Sequence, residues 1–494
     1  MSWTEKAASL NFDTRPFVAG DFLPDQSDLQ FETSNPATAQ SLARFVDAGD
    51  AQVDAAVSAA RKAFTIWSRM SPIERKRLLL AFAEAMRQHS EQLALRDSLE
   101  MGKPISMALG EAMGAADFVQ YYAELADKIG GEVSPIEIAN GLSLTYYEPR
   151  GVVGIITPWN FPVFTAVTAI APALAAGNTV VQKPSEVSPS SAILLAKLAV
   201  EVGIPPGVLN VVTGTGQRAG AALARHGDVD KLHFTGSTAV GKQLMIYAGQ
   251  SNGKPVMLET GGKSPQIVFE DAVDIDGLGQ ALAADVFSNT GQICVARTRL
   301  LVHESISDQV TALIEAGAKA FFQTGDPLDE SVNYGPICNE KQFTRVSSYL
   351  ELATQEGATT RTAAPAGSPL PGGYFVEPTI VVNASMEMRV AREEIFGPVR
   401  SVLTFSSYEE AIALANATEY GLAATAWTRD MGRAHRLSHD LDAGRVDIRS
   451  STAAGASLAH LTAEPFGGSG HGALGGTKGL EPYLRFKGVQ FLSG

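Results

Sequence analysis

The sequence predicts an α/β protein built from two doubly wound parallel-sheet regions and a protruding β-ribbon. Three observations carry this. Over residues 151–258, short apolar strand patterns alternate with helical patterns. Over residues 261–461 the alternation resumes. Ahead of both, residues 132–147 switch to a two-residue period around Asn140-Gly141. Asn-Gly is a hairpin signal because both turn positions favour positive φ. Strand–helix alternation buries a parallel sheet under helices on both faces.

The first part reads helical. Apolar residues recur every three or four positions over 53–67 and 73–100. Met101-Gly102-Lys103-Pro104 stops the second run, and a further helical stretch reaches about residue 128. In the first alternating region, strands are expected at 152–156, 179–182, 208–212, 231–234 and 256–258. Helices are expected at 165–176, 190–202, 219–225 and 239–248. The second region carries a helix at 275–287, a strand at 299–302 and a helix at 307–322. Residues 483–492 read as a strand that pairs with the 132–147 ribbon, because exposed edges must be paired or protected. This sheet is expected to hold subunits together; the alternative is a surface hairpin with no partner. The expected division is residues 1–130 with 150–260, then 261–464, with 131–149 and 478–494 forming the ribbon.

At 494 residues the chain is too long for one core, since domains hold about 100–200 residues each. Its 45% hydrophobic and 19% charged residues are globular composition. A net charge of −14 repels phosphate backbones and anionic lipid, which argues against nucleic-acid and membrane partners. No apolar run reaches the roughly 18–20 residues of a membrane span. The first residues lack the basic and apolar regions of a signal peptide, so a cytoplasmic location is expected. The two cysteines, Cys294 and Cys338, would be thiols in a reducing compartment.

Cys294 follows a helix and precedes a strand, and Gly291 lets the backbone approach a ligand closely. A lone cysteine is more often an inert core residue, and Cys338 is read that way. Glu259 ends a strand before Thr260-Gly261-Gly262-Lys263, a place suited to a general base; a salt bridge to Lys263 is the plainer reading. Asn160, in Trp159-Asn160-Phe161-Pro162, can donate to a developing oxyanion, although Asn and Pro also favour turns. Lys183 and Glu186 follow a strand and can bond ribose hydroxyls. Phe234-Thr235-Gly236-Ser237 runs from a strand into a helix and offers N–H groups to a pyrophosphate. By itself that stretch is weak evidence. His435 and His439 stand four apart on a helix, but without a third ligand they read as a solvated face, and no metal is expected.

Seven motifs recur together, in order: Pro158-Trp159-Asn160-Phe161-Pro162, Lys183-Pro184-Ser185-Glu186, Phe234-Thr235-Gly236-Ser237, Leu258-Glu259-Thr260-Gly261-Gly262-Lys263, Gly291-Gln292-Ile293-Cys294, Glu393-Glu394-Ile395-Phe396-Gly397-Pro398-Val399 and Pro465-Phe466-Gly467-Gly468. With them the sequence resembles the aldehyde dehydrogenase superfamily over essentially its whole length. The resemblance implies a dinucleotide-binding domain (1–130 and 150–260), a catalytic domain (261–464) and an oligomerisation ribbon. It implies oxidation of a small aldehyde to its acid by a homodimer or homotetramer. Cys294 is implied as nucleophile, Glu259 as the base for the deacylating water, and Asn160 with the Cys294 N–H as oxyanion hole. The implied cofactor residues are Ile156, Thr157, Trp159, Lys183, Ser185, Glu186, Gly216, Gly220, Phe234, Gly236, Ser237, Val240, Glu394 and Phe396. Relatives that pass the acyl group to coenzyme A generally lack the glutamate, so hydrolysis is implied. Glu186 would repel a 2′-phosphate, which favours NAD, with NADP as the alternative.

The substrate end departs from the family pattern. Arg449 stands where Asn is usual, and residues 450–464 form a long loop. Thr165 and Thr168 occupy positions that often hold bulky residues. Phe161, Thr165, Thr168, Arg449, His460 and Phe466 are the pocket candidates. Arg449 or His460 would meet a polar or anionic group on the substrate; a structural ion pair of Arg449 is the competing reading. Two other functions compete overall: a thiol esterase without redox chemistry, and a non-enzymatic paralogue that keeps the fold.

Overall fold

The computed structural model describes residues 1–24, 29–135, 141–453, 455 and 457–492. Two large sheets organise them. The first has the strand order Asp21–Phe22, Phe17–Val18, Leu209–Val211, Thr179–Lys183, Val152–Ile156, Lys231–Thr235, Val256–Glu259, Gly470–His471. Its central strands are parallel, and both edges are closed by antiparallel additions. The chain leaves Val152–Ile156 in one direction along the sheet, then returns to build the other half from Lys231–Thr235. That reversal makes a topological switch point beside Ile156, where open α/β sheets leave a crevice for ligands.

The second sheet runs Thr359–Thr362, Thr379–Val382, Val399–Phe405, Arg299–His303, Pro265–Val268, Ala423–Trp427, Arg445–Arg449. Only the first of these pairs antiparallel. The ribbon is a third sheet. Leu484–Leu492 and Glu132–Ser134 flank Gly141–Pro149, both antiparallel to it. The expected pairing of the C-terminal strand with the ribbon is present; the Asn140 position of the expected turn lies outside the described residues. Among the described residues, no helix is long and apolar enough to cross a membrane.

Each face of the first sheet has its own core. On one side Phe82, Phe118, Tyr122, Ile170, Leu174 and Val180 pack together; on the other, Val53, Val57, Val152, Leu232 and Phe234 do. Burying such a side chain contributes about 1.5–3 kcal/mol. The Pro162–Ala175 helix is buried nearly all round, which explains a sequence apolar except at Thr165 and Thr168. The second sheet packs Val286, Phe287, Leu300, Val302 and Trp427.

The structure differs from expectation in three places. The helical run over 73–100 is two helices, Pro72–Gln88 and Ser90–Met101, broken at His89. There the imidazole shares the Ala85 carbonyl with the His89 N–H, and the His89 backbone leaves the helical region, with φ of −106° and ψ of 16°. The first part is not wholly helical: Phe17–Val18, Asp21–Phe22 and the hairpin Gln30–Asn35/Gln40–Val46 precede the helices. These strands are too short, or too irregular at the Thr33/Ser34 register shift, to show a clear two-residue period. Finally, Gly470–His471 returns to the first sheet beside Val256–Glu259, so the chain crosses back before the ribbon.

Candidate active site

Two strands of the first sheet end at Lys183 and Glu259, and Thr157 and Gly236 directly follow two others. Cys294 approaches from the opposite direction. It precedes Arg299–His303 and therefore faces the amino end of the second sheet. The loop with Glu394 and Phe396 enters the neighbouring strand Val399–Phe405 at the same end. The site is thus formed where the carboxyl end of one sheet meets the amino end of the other.

The Cys294 loop is held in a strained form. Asn289 and Thr290 have φ of 49° and 55°, followed by Gly291 at 70°. Left-handed non-glycine residues cost about 1–3 kcal/mol each and persist only where their surroundings hold them. Here Thr290 Oγ1 donates to the Gly335 carbonyl at 2.8 Å, and Asn289 Nδ2 donates to the Asn160 carbonyl at 3.1 Å. At Gly291 a Cβ would collide with the Gly397 carbonyl. Gln292 is the hub. Its Nε2 donates to the carbonyls of Asn289 and Pro336, its Oε1 accepts from the Cys338 N–H, and its own carbonyl accepts from Asn160 Nδ2 at 3.0 Å. Asn160 is buried, at 3% exposure.

Two carboxyls oppose ionisation of Cys294. Burial first, then the nearby Glu259 and Glu394, push the Cys294 thiol up to about 12, against which the N–H groups of Val295 and Cys294 act. Glu259 is held well above the usual carboxylate range by burial and by Glu464. The Glu259–Lys263 ion pair does not form: Glu259 Oε1 and Lys263 Nζ are each buried without a hydrogen-bond partner. The Gly261-Gly262 turn sends Lys263 toward the second sheet, where its carbonyl accepts from Arg299 Nε. The Gly262 N–H donates to Glu394 Oε1 at 3.1 Å, and a Cβ at Gly261 would strike that carboxylate.

The nucleotide candidates cluster at the switch point. Lys183 Nζ stands 3.0 Å from Glu186 Oε2. Burial works to raise the Glu186 pKa, but Lys183 and backbone N–H groups, including that of Gly216, bring it below the usual value. Gly220 approaches Lys183 and Ile156. The Thr157 N–H donates to the Lys183 carbonyl, and Ser185 Oγ accepts from the Val187 N–H. A Cβ at Gly236 would strike the Phe234 ring. Ser237 caps the Thr238–Gln250 helix and accepts from the Val240 N–H; the Val240 side chain is exposed. Trp159 and Phe396 meet edge to face at 5.4 Å. An acidic acceptor beside a buried lysine, a capped helix N-terminus and a glycine, Gly236, with no room for a side chain suit a dinucleotide.

The substrate candidates divide. Phe161 lies beside the Asn160 loop. The Thr165 and Thr168 hydroxyls bond carbonyls one turn back, at Phe161 and Thr165. His460 stacks edge-on against Tyr121 at 5.0 Å, and Phe466 pairs with Gly421 in a short strand. Arg449 has structural partners: Asp285 at 3.8 Å, the Ala453 carbonyl at 2.8 Å and the face of Trp427 at 4.7 Å. Cys338 is buried and accepts from Asn339 Nδ2. Two contributors went unread in the sequence. Gln292 lay within a motif but without an assigned part. Gln342, which donates to the Ile395 and Phe396 carbonyls, sits on a helix far from any motif.

A family model described as the aldehyde dehydrogenase family matches residues 22–489. The chain belongs to the aldehyde dehydrogenase family. It is 43% identical over 493 residues to the NADP/NAD-dependent aldehyde dehydrogenase PuuC of Escherichia coli (strain K12), covering 99% of this chain and 97% of the relative. A crystal structure of indole-3-acetaldehyde dehydrogenase with NAD+ is 40% identical, with a TM-score of 0.95 over 99% of this chain and 98% of that one. The gamma-glutamyl-gamma-aminobutyraldehyde dehydrogenase of Burkholderia cenocepacia J2315 is 43% identical, with a TM-score of 0.94 over the same shares. This aldehyde dehydrogenase oxidises an aldehyde to the carboxylic acid with NAD or NADP.

Proposed function

We propose that Cys294 is the nucleophile, that Asn160 and the Cys294 N–H form the oxyanion hole, and that Glu259 activates the hydrolytic water. The observation that carries this is the tie between Asn160 Nδ2 and the Gln292 carbonyl, which sets the oxyanion donor beside the cysteine loop. The sulfur, as thiolate, adds to the aldehyde carbon. The second Asn160 N–H and the Cys294 N–H meet the oxygen as it gains charge. When bound among Lys183, Glu186, Gly236, Ser237, Glu394 and Phe396, NAD supplies the hydride acceptor. The acyl group then remains on Cys294 as a thioester. Glu259 takes a proton from water, the hydroxide attacks the thioester carbon, and the acid leaves with the thiol restored. Covalent capture holds the carbon fixed throughout.

Glu186 supports NAD over NADP by repelling a 2′-phosphate. The two free thiols fit a cytoplasmic setting. Val133, Leu142, Phe486, Phe491 and Leu492 are exposed on the ribbon sheet, and they support a homo-oligomer formed through it. Stopped-flow NADH release with Glu259→Gln tests the mechanism. One equivalent should appear quickly and turnover should then stall; steady turnover at the parental rate sinks the base assignment.

A further inference from the structure

Beneath the oxyanion loop lies a buried charged cluster that the chemistry above does not use. Lys103 follows the Ser90–Met101 helix, which contributes Asp97; Glu111 comes from the Ile105–Leu125 helix. The Lys103 side chain is fully buried and ion-pairs with Glu111. Its ammonium sits 3.9 Å from the centre of the Phe161 ring, over its face. The two carboxyls turn to the first turn of the Pro162–Ala175 helix. Asp97 Oδ2 accepts from the Val163 N–H at 3.3 Å, and Glu111 Oε1 accepts from the Phe164 N–H at 3.4 Å. These are N–H groups that a helix start leaves without partners. Asn160 stands immediately before this clamped segment.

The other side of Lys103 reaches the cysteine loop. Gly102 is left-handed, with φ of 77°, and a Cβ there would collide with Pro336. The Pro336 carbonyl accepts from Gln292 Nε2, and the Gln292 carbonyl accepts from Asn160. The contacts close a ring: Lys103, Phe161, Asn160, Gln292, Pro336, Gly102. We infer that Lys103, balanced by Glu111 and Asp97, is a positioning residue that fixes the Asn160 amide relative to Cys294. This rests on the oxyanion role of Asn160 proposed above. Asp97 and Glu111 are both pushed upward by burial, and Lys103 is the cation that opposes this. Removing it leaves two buried carboxyls facing one another at the base of the loop.

The test is a double-mutant cycle read on the NADH burst at saturating NAD and aldehyde. Lys103→Met should slow the burst about tenfold, less than the ~10²–10³ of losing an oxyanion donor outright, with NAD affinity unchanged. Combined with Asn160→Ala it should add nothing, because both act on one element. A parental burst in Lys103→Met, or losses that multiply in the double variant, overturns the inference. If Lys103→Met does not fold, Glu111→Gln enters the same cycle with the same expectation. A parental burst in Asn160→Ala alone would instead overturn the oxyanion reading.

Discussion

Asn160 Nδ2 donates to the Gln292 carbonyl at 3.0 Å, two residues before Cys294. One amide hydrogen is thereby fixed, which leaves the second for the oxyanion role proposed above. Asn160→Asp keeps the shape and removes both donors. It should slow the acylation burst by about 10²–10³ while leaving NAD binding near parental. A burst within twofold of the parent would show that the oxygen finds its donors elsewhere.

The free enzyme should hold Cys294 as a thiol, since its pKa is pushed up to about 12 by burial and two carboxyls. The thiolate is the reactive form, so its fraction grows tenfold per pH unit below the pKa. Iodoacetamide labelling without cofactor should therefore climb about tenfold per unit across the neutral to alkaline range. A plateau near pH 8 would mean a much lower pKa. Cys294→Ala should show no labelling, because Cys338 is buried.

Glu186 pairs with Lys183 at 3.0 Å and keeps its charge at neutral pH. Glu186→Gln removes the repulsion against a 2′-phosphate. The ratio of kcat/KM for NADP over NAD should rise about tenfold, or roughly 1.4 kcal/mol. An unchanged ratio would place cofactor choice elsewhere in the pocket.

Glu100 is buried, and burial pushes it up to about 8 against the bonds it accepts from the Ser190 N–H and hydroxyl. In the unfolded chain it titrates near 4.3. Below that value both states are protonated. As pH rises toward 8, the unfolded state ionises while the folded state resists, so folding stability falls across this window. Glu100→Gln should raise Tm by roughly 2–4 °C at pH 8 and leave it nearly unchanged at pH 4. Equal shifts at both pH values would refute the linkage.

Much of the fold was legible because its rule is local. Parallel strands covered on both faces tend to short apolar runs separated by helices; Val152–Ile156 shows such a run, and the repeated strand–helix spacing over 151–258 carried the rest. Phe17–Val18 and Gly470–His471 were not legible, since two residues hold no period and their pairing is decided across the chain. The motifs named Cys294, Glu259 and Asn160 from residue type and order.

The sequence by itself determined the alternation of elements, the family and the identity of the chemical groups. Those depend on neighbours along the chain. Only the tertiary structure decided which groups meet. It separated Glu259 from Lys263, gave Arg449 to Asp285 and Trp427, and brought Gln292 and Lys103 around Asn160. It also set the protonation of Cys294 and Glu259, because desolvation and through-space charge depend on three-dimensional surroundings that no local pattern encodes.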